Sequence, residues 1–218
     1  ALDRLLADSQ PGDTAVFYFA GHGSQITNLS RPAGDRLEQT LVPADAWRGA
    51  VEALPAPVDV RDKALAERYN AALDRGVELL VIVDACHSGG SWRWVPKQGF
   101  KTRALRPDQR AYTLPPFEGP DPALRGLFLA AAAASEPALE QGGRGAFTRG
   151  LLEAIERLPG DAPAGAVFAR AVVALRQATG SPQRPVLAGP GERQRRPLLS
   201  GARHRGPVDL SQGPTRVH

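Results

Sequence analysis

Three short apolar runs constrain the architecture of this chain more than any other feature. They occupy residues 14–20, 77–83 and 127–133. Uninterrupted apolar runs of strand length are typical of strands that are covered on both faces, as in a parallel sheet. Apolar residues at helical spacing follow the same order along the chain, in residues 1–7, 62–73, 147–158 and 164–178. This alternation predicts an α/β fold with helices on the faces of a mostly parallel sheet.

The length of the chain predicts one domain, over residues 1–200, with a short additional strand near residues 185–188. A chain of 218 residues with 42% hydrophobic content is large enough to bury one core. Residues 91–124 show no period, and six Lys or Arg against one Asp fall between Trp92 and Tyr112. We therefore expect a long, exposed, basic loop there. Residues 201–218 have little to bury and are expected to form a disordered, Arg-containing tail.

The distribution of charge argues against a nucleic-acid-binding protein. The net charge is +4, and residues 192–218 alone carry six Arg against two acids, so the rest of the chain is neutral. An Arg-rich tail without aromatic residues remains a possible accessory site for nucleic acid, because it supplies charge but no stacking platform. No apolar run approaches the roughly 20 residues that span a bilayer. The first seven residues do not resemble a signal peptide, so a cytoplasmic protein without a membrane partner is expected.

Two of the apolar runs end in small-residue turns that carry reactive side chains. His22 lies between two glycines, and Cys86 precedes a glycine-rich turn at residues 88–90. Functional groups in α/β sheets gather beyond the carboxyl ends of the strands, so adjacent parallel strands bring these two residues to one edge. A thiolate is a nucleophile, and an imidazole beside it takes its proton. The amides of Gly23 and Cys86 are the expected donors to an oxyanion.

Other interpretations of these residues remain open. Cys86 is the only cysteine, which excludes an internal disulfide, and a lone cysteine is often a small buried hydrophobe. A zinc site from His22, Cys86 and His87 would have one thiol and poor spacing. His87 is expected to be structural, because its side chain points away from that of Cys86 in an extended backbone. No metal site is therefore predicted.

Four segments resemble the caspase and metacaspase clan of cysteine peptidases, in particular the bacterial metacaspase-like proteases. Residues 17–25 (FYFAGHGSQ) resemble the histidine motif, and residues 84–89 (DACHSG) resemble the cysteine motif. Residues 37–45 (LEQTLVPAD) are similar to the segment between the motifs, and residues 145–148 (GAFT) to a later clan feature. The resemblance implies a three-layer sandwich around a mostly parallel sheet. It also implies that a first strand and helix precede Ala1, which agrees with the absence of methionine.

The resemblance further implies a cysteine endopeptidase with protein or peptide substrates. Asp84, two residues before the nucleophile, is expected to line the pocket that selects Arg or Lys before the cut bond; the alternative is that it caps the following turn. Ala20 and Ser135 are expected to line the same pocket. The missing N-terminal segment or an activating protein is a predicted partner. A role in bacterial stress, cell death or defence follows from the family alone, and a catalytically silent scaffold or binding module is the alternative function.

Maturation and metal dependence also follow from the resemblance. Relatives often mature by cleavage in the linker after the cysteine strand, and four basic residues are the candidate positions: Lys101, Arg103, Arg106 and Arg110. Some relatives need calcium, for which Glu38, Asp59 and Asp62 lie in comparable regions. Arg93 stands seven residues after the cysteine, where calcium-dependent relatives have an acid. We therefore expect that no cofactor is required and regard calcium as doubtful.

Overall fold

A computed structural model describes residues 2–46, 59–86, 99–103, 105–108, 110–133, 136–180 and 183–199. Five helices were assigned in these ranges: α1 (Leu2–Asp8), α2 (Asp62–Asp74), α3 (Ala146–Arg157), α4 (Ala164–Thr179) and α5 (Gly191–Arg195). Eleven strands accompany them: β1 (Thr14–Ala20), β2 (His22–Asn28), β3 (Leu37–Val42), β4 (Val60–Arg61), β5 (Glu78–Asp84), β6 (Lys101–Thr102), β7 (Ala111–Tyr112), β8 (Leu127–Ala130), β9 (Leu139–Gln141), β10 (Arg144–Gly145) and β11 (Val186–Ala188).

The central sheet has the order β1-β5-β8-β11. Strands β1, β5 and β8 are parallel, and β11 runs antiparallel to β8 at the edge. The three predicted apolar strands are therefore neighbours in one mostly parallel sheet, which confirms the predicted fold class. The third strand ends at Ala130, three residues earlier than predicted, although the amide of Ala131 still donates to the carbonyl of Val83.

Helices cover both faces of this sheet because successive side chains of β5 point to opposite sides. Leu80 and Ile82 pack with residues of α3 and α4 on one face. Leu79 and Val81 pack with residues of α1 and α2 on the other face. The result is a three-layer arrangement with two hydrophobic clusters separated by the sheet.

One sequence expectation about burial is wrong at β1. This strand was predicted to be covered on both faces, but Val16 and Tyr18 are 38% and 49% exposed. The reason is its position at the edge of the sheet, where only the face turned toward α2 is packed. In the described part of the chain, no helix is both long and apolar enough to cross a bilayer.

Two smaller sheets lie beyond the carboxyl ends of the central strands. One has the order β4-β3-β2-β7, in which β2 and β3 form an antiparallel hairpin. The apolar runs of the sequence did not indicate β2, because this strand is polar. The other small sheet has the order β10-β9-β6 and is antiparallel.

The predicted exposed basic loop is wrong around residues 101–103, 108 and 110–112, where strands and buried side chains occur, whereas residues 113–121 have no helix or strand and are mostly exposed. Lys101–Thr102 forms β6 and Ala111–Tyr112 forms β7, so this segment joins both small sheets. Arg103, Asp108 and Tyr112 are buried. The remaining part of the predicted loop and the predicted tail, residues 91–98 and 201–218, lie outside the described residues.

Candidate active site

Strands β1 and β5 bring the two predicted motifs to one edge of the central sheet. They are parallel neighbours, and their last residues, Ala20 and Asp84, are partners in register. The amide of Gly21 donates to the carbonyl of Asp84 at 3.2 Å, which continues the pairing into the turns. The expectation that the two strands are adjacent and parallel is therefore confirmed. His22 and Cys86 follow at corresponding distances from the strand ends.

The backbones of the two turns are in close contact at Gly23. A Cβ atom built at this position would lie 1.5 Å from the carbonyl oxygen of Cys86, so only glycine fits. The imidazole of His22 has its Nδ1 atom buried without a hydrogen-bond partner. Among the residues that the structure describes, no hydrogen bond joins this imidazole to the Cys86 thiol. The two side chains thus lie at the same edge of the sheet without a hydrogen bond between them.

The Cys86 thiol is held by the backbone of Ala138. The Ala138 amide donates to Sγ at 2.9 Å, and Cys86 is 0% exposed. Burial raises the pKa of the thiol to about 11, although hydrogen bonds from the neighbouring backbone act in the opposite direction. At neutral pH the sulfur is therefore a protonated thiol and a poor nucleophile.

The amides of Gly23 and Cys86 converge on one oxygen atom. They donate to the carbonyl oxygen of Arg103 at 3.0 and 3.2 Å. Two backbone N–H groups on one carbonyl oxygen are the donor arrangement that stabilises a developing oxyanion. The carbonyl that occupies this pair of donors belongs to the chain itself.

Residues before Arg103 continue this contact as a strand along β9. Lys101 and Thr102 pair with Glu140 and Leu139 in an antiparallel ladder. The amide of Arg103 then donates to the carbonyl of Ala138 at 2.9 Å. The backbone of Ala138, the residue before β9, therefore binds both the Cys86 thiol and the amide of Arg103.

Residues after Arg103 are held along β2 instead. The Leu105 amide donates to the Gly23 carbonyl at 2.9 Å, and the Asp108 amide donates to the Gln25 carbonyl at 2.8 Å. The hydroxyl of Ser24 donates to the carbonyl of Arg106 at 2.9 Å. The crossing segment, residues 101–103 and 105–108, thus has its first part along β9 and its second part along β2.

The side chain of Arg103 is 5% exposed. Its Nη1 atom donates to the backbone carbonyl of Asp84 at 3.0 Å. Its Nε atom lies 3.4 Å from Oε2 of Glu140, which is an ion-pair contact without a hydrogen bond. A guanidinium group therefore occupies a pocket formed by the end of β5 and the side chain of a residue in β9.

The carboxylate of Asp84 faces the N-terminus of α3. Its Oδ2 atom accepts hydrogen bonds from the Thr148 amide at 2.9 Å and the Thr148 hydroxyl at 2.5 Å. A Cβ atom at Gly145 would lie 1.9 Å from Oδ2, so glycine leaves the space for this approach. Burial raises the pKa of the Asp84 carboxyl, and the hydrogen bonds from Thr148 oppose this rise. Asp84 therefore caps a helix, and it meets Arg103 through its carbonyl oxygen.

The other predicted positions fall at different places. Ala20 is exposed at the end of β1, and Ser135, His87 and Arg93 lie outside the described residues. Lys101 and Arg106 are exposed on either side of Arg103, whereas Arg110 makes a bidentate ion pair with Asp108. Of the four predicted self-cleavage positions, only Arg103 has its carbonyl oxygen on the two converging amides.

The residues considered for calcium are separated by other contacts. Glu38 is buried and accepts hydrogen bonds from Arg61 at 2.7 Å and Asn28 at 2.8 Å, while Asp59 accepts one from Thr40 at 2.6 Å. Within the described ranges, no group of three or more His, Cys, Asp or Glu side chains is arranged to hold a metal ion. Glu38 therefore neutralises a buried guanidinium in this structure.

Sequence reasoning missed two residues that contact the site. Ala138 holds the thiol and the crossing chain through its backbone, which no side-chain pattern reveals. Glu140 is one of two acids in residues 136–141, without a spacing that would single it out. Thr148 belonged to a recognised segment, residues 145–148, but its contact with Asp84 was not predicted.

Comparisons with known proteins find similarity between part of this sequence and metacaspases. Residues 1–93 match the family model described as "Metacaspase, peptidase C14 domain". Metacaspase-1 of Plasmodium falciparum is 30% identical over 112 residues, which cover 51% of this chain and 17% of that protein. Metacaspase-2 of Arabidopsis thaliana is 34% identical over 89 residues, which cover 41% of this chain and 19% of that protein. The aligned part thus spans about a fifth of the length of these relatives.

A solved structure extends the likeness in fold over most of the chain. The crystal structure of protein GSU0716 from Geobacter sulfurreducens superimposes with a TM-score of 0.58 and 18% sequence identity. The match covers 91% of this chain and 75% of that protein. At this identity the likeness concerns the fold.

Proposed function

We propose, from the match of residues 1–93 to the metacaspase peptidase model, that this chain is a cysteine endopeptidase that cleaves after Arg or Lys. The observation that carries the proposal is the position of Arg103. Its carbonyl oxygen accepts from the amides of Gly23 and Cys86, and its side chain is buried in a pocket beside Asp84. This is the arrangement expected for the residue before a cut bond.

In the proposed reaction Cys86 attacks the carbonyl carbon of the residue before the cut bond. His22 takes the thiol proton, and the carbonyl oxygen becomes an oxyanion that accepts from the amides of Gly23 and Cys86. The carbon–nitrogen bond then breaks, and His22 returns the proton to the leaving amine. Water, with its proton taken by His22, hydrolyses the thioester and regenerates the thiol. A positioned base of this kind contributes about 10²–10⁴-fold to the rate.

We propose that the chain matures by cutting the bond between Arg103 and Ala104. Three observations support a latent form before the cut. The crossing segment fills the site on both sides of Arg103, and the pKa of Cys86 is raised to about 11 by burial. The imidazole of His22 is also not hydrogen-bonded to the thiol, so it must turn before it can accept the proton.

Intact-mass analysis during incubation tests this proposal. We expect two fragments, residues 1–103 and 104–218, from the unaltered chain and none from Cys86→Ala. Arg103→Ala should stop this cut while leaving the chain folded. Cutting that depends on Cys86 but occurs only after Lys101, Arg106 or Arg110 would contradict the assignment of Arg103.

A panel of fluorogenic peptides tests the specificity separately. Peptides that differ only in the residue before the coumarin amide, Arg, Lys or Asp, should be cleaved in the first two cases. Cys86→Ala is the control for contaminating proteases. Parallel assays with a chelator and with added calcium test our proposal that no metal is needed, for which we expect equal rates. Cleavage after Asp alone would refute the proposed pocket.

A catalytically silent scaffold is the second candidate, and one observation favours it. The thiol is fully buried within the larger hydrophobic cluster, as a structural cysteine would be. For this function Cys86→Ala should retain every measurable property of the chain. A role in bacterial stress, cell death or defence remains part of the first proposal, and it requires that the phenotype disappears in cells carrying Cys86→Ala.

A further inference from the structure

The acid nearest to the Arg103 guanidinium in the described part of the chain is Glu140, and the Asp84 carboxylate is turned elsewhere. A buried guanidinium is unfavourable unless a carboxylate or other acceptors compensate for its lost hydration. Within the described part of the chain, Glu140 is the acid whose oxygen lies within 4 Å of it, at 3.4 Å from Nε. The carboxylate of Asp84 accepts its two hydrogen bonds from Thr148. The contact of Asp84 with Arg103 is made by a neutral backbone carbonyl.

Glu140 is well placed to act on an incoming side chain as well. It lies in β9, two residues after Ala138, whose backbone contacts both the Cys86 thiol and the Arg103 amide. One short strand therefore fixes the nucleophile, the substrate backbone and this carboxylate relative to each other. The side chain of Glu140 is 22% exposed, so it is desolvated but still reachable from the site.

We propose that Glu140 is the specificity-determining carboxylate for the residue before the cut bond, and that it favours Arg over Lys. This inference rests on the proposed function. The reason lies in which nitrogen faces Glu140. It is Nε, part of the guanidinium group, and a lysine carries a methylene group at the same position along its side chain. An arginine therefore places the Nε end of its charged group beside Glu140, as an ion pair, and donates from Nη1 to the Asp84 carbonyl, whereas a lysine has one ammonium group for both acceptors.

Steady-state kinetics with paired substrates tests the assignment. Two peptides differ only in Arg or Lys before the coumarin amide. Both carry Ala two residues earlier, at the position of Lys101, because Lys101 pairs with Glu140 in the strand register and a second cation there would confuse the comparison. Glu140→Gln should lower kcat/KM for the Arg peptide by about tenfold or more and bring the Arg-to-Lys ratio close to one. Glu136→Gln is the matched control, because Glu136 precedes the same strand but pairs with Arg184 at the surface. An unchanged ratio in Glu140→Gln would overturn the inference.

A second measurement separates this inference from the proposed function, because it needs no turnover. The alkylation rate of Cys86 in the uncut chain reports how tightly Arg103 holds the crossing segment. Glu140→Gln and Arg103→Lys should each accelerate alkylation severalfold, and the double variant should be no faster than the faster single variant, because both remove one contact. Glu136→Gln should leave the rate unchanged.

The outcomes are distinct. Absence of Cys86-dependent turnover in the unaltered chain, together with coupled alkylation rates, would refute the peptidase and support Glu140 as the partner of the guanidinium. Independent, multiplicative effects of the two substitutions would refute the partnership even in an active enzyme. If Glu140→Gln does not fold, as judged by circular dichroism, Arg103→Lys tests the same contact from its other side, and an unchanged alkylation rate in that variant would overturn it.

Discussion

Alkylation of Cys86 as a function of pH measures directly how the filled site holds its nucleophile. Burial raises the pKa of this thiol from 9.0 to about 11. At pH 7.5 this rise reduces the thiolate fraction by roughly 100-fold. Because the chain has one cysteine, every alkylated molecule reports this site.

The expected pH profile follows from which state holds the proton. A thiol with an ordinary pKa reaches its maximum rate near pH 9, where it is ionised. In the folded chain the closed, protonated form stays dominant up to about pH 11. The population that exposes a thiolate therefore rises about tenfold per pH unit throughout this range, whether ionisation occurs in the closed site or after a brief opening. The rate should keep rising between pH 8 and 10.

Iodoacetamide labelling followed by intact mass provides the assay. The chain unfolded in urea is the control and should show the plateau of a free thiol. A chain cut after Arg103 should show an intermediate profile, because one half of the crossing segment is then free to leave. A plateau near pH 9 in the intact, folded chain would refute the reasoning that burial by this segment keeps the thiol protonated.

Three further predictions concern the residues that shape the site and its support. Gly145→Ala should destabilise the chain by about 1–3 kcal/mol in urea unfolding, because its Cβ would overlap the carboxylate of Asp84, whereas Gly160→Ala, which meets no atom within 4 Å, should be nearly neutral. Thr148→Val should cost about 1–2 kcal/mol by removing one hydrogen bond to that carboxylate, and Thr148→Ser should restore most of it; equal stability of the two variants would contradict the contact. Glu38→Gln should cost about 2 kcal/mol at pH 7: burial raises the pKa of Glu38, but hydrogen bonds from its guanidinium and amide partners outweigh this and hold the pKa below its usual value. The cost should therefore disappear as the pH falls through that lowered pKa, and a cost that persists at pH 2–3 would contradict it.

The parts of the fold that the sequence predicts are those in which local pattern and tertiary contacts agree. Strand β1 begins and ends where its apolar run does, and α2 ends within one residue of the helical spacing that predicted it. In α2 most of the side chains that define the pattern also make the core contacts, and in β1 Ala15, Phe17 and Phe19 do so. Strand β2 is different, because its polar residues are buried through backbone pairing with neighbours on both sides.

In the candidate site too, the residues marked by a local sequence pattern were predictable, and those placed by tertiary contacts were not. His22 and Cys86 were predictable because their turns interrupt apolar strands, and the sheet then brings those strand ends together. The position of Arg103 was not predictable beyond its being one of four basic candidates. It is set by backbone hydrogen bonds to Ala138, Gly23 and Cys86, which are independent of side-chain type. The direction of the Asp84 carboxylate depends on a helix more than sixty residues later in the chain.

The segment around Arg103 is bound by β9 on one side and by β2 on the other, so any other peptide must displace it to enter the site. A tethered ligand acts at an effective concentration on the order of millimolar, so a free peptide of equal intrinsic affinity must exceed that concentration to replace it. Cutting after Arg103 removes one tether from residues 99–103, while residues 105–112 stay paired with β2. After the cut, residues 99–103 can dissociate from the arginine pocket and from β9. The part of the segment on β2 still competes with an incoming peptide. Short peptides that end at the scissile bond should gain access first, and longer substrates must still displace the segment that remains on β2.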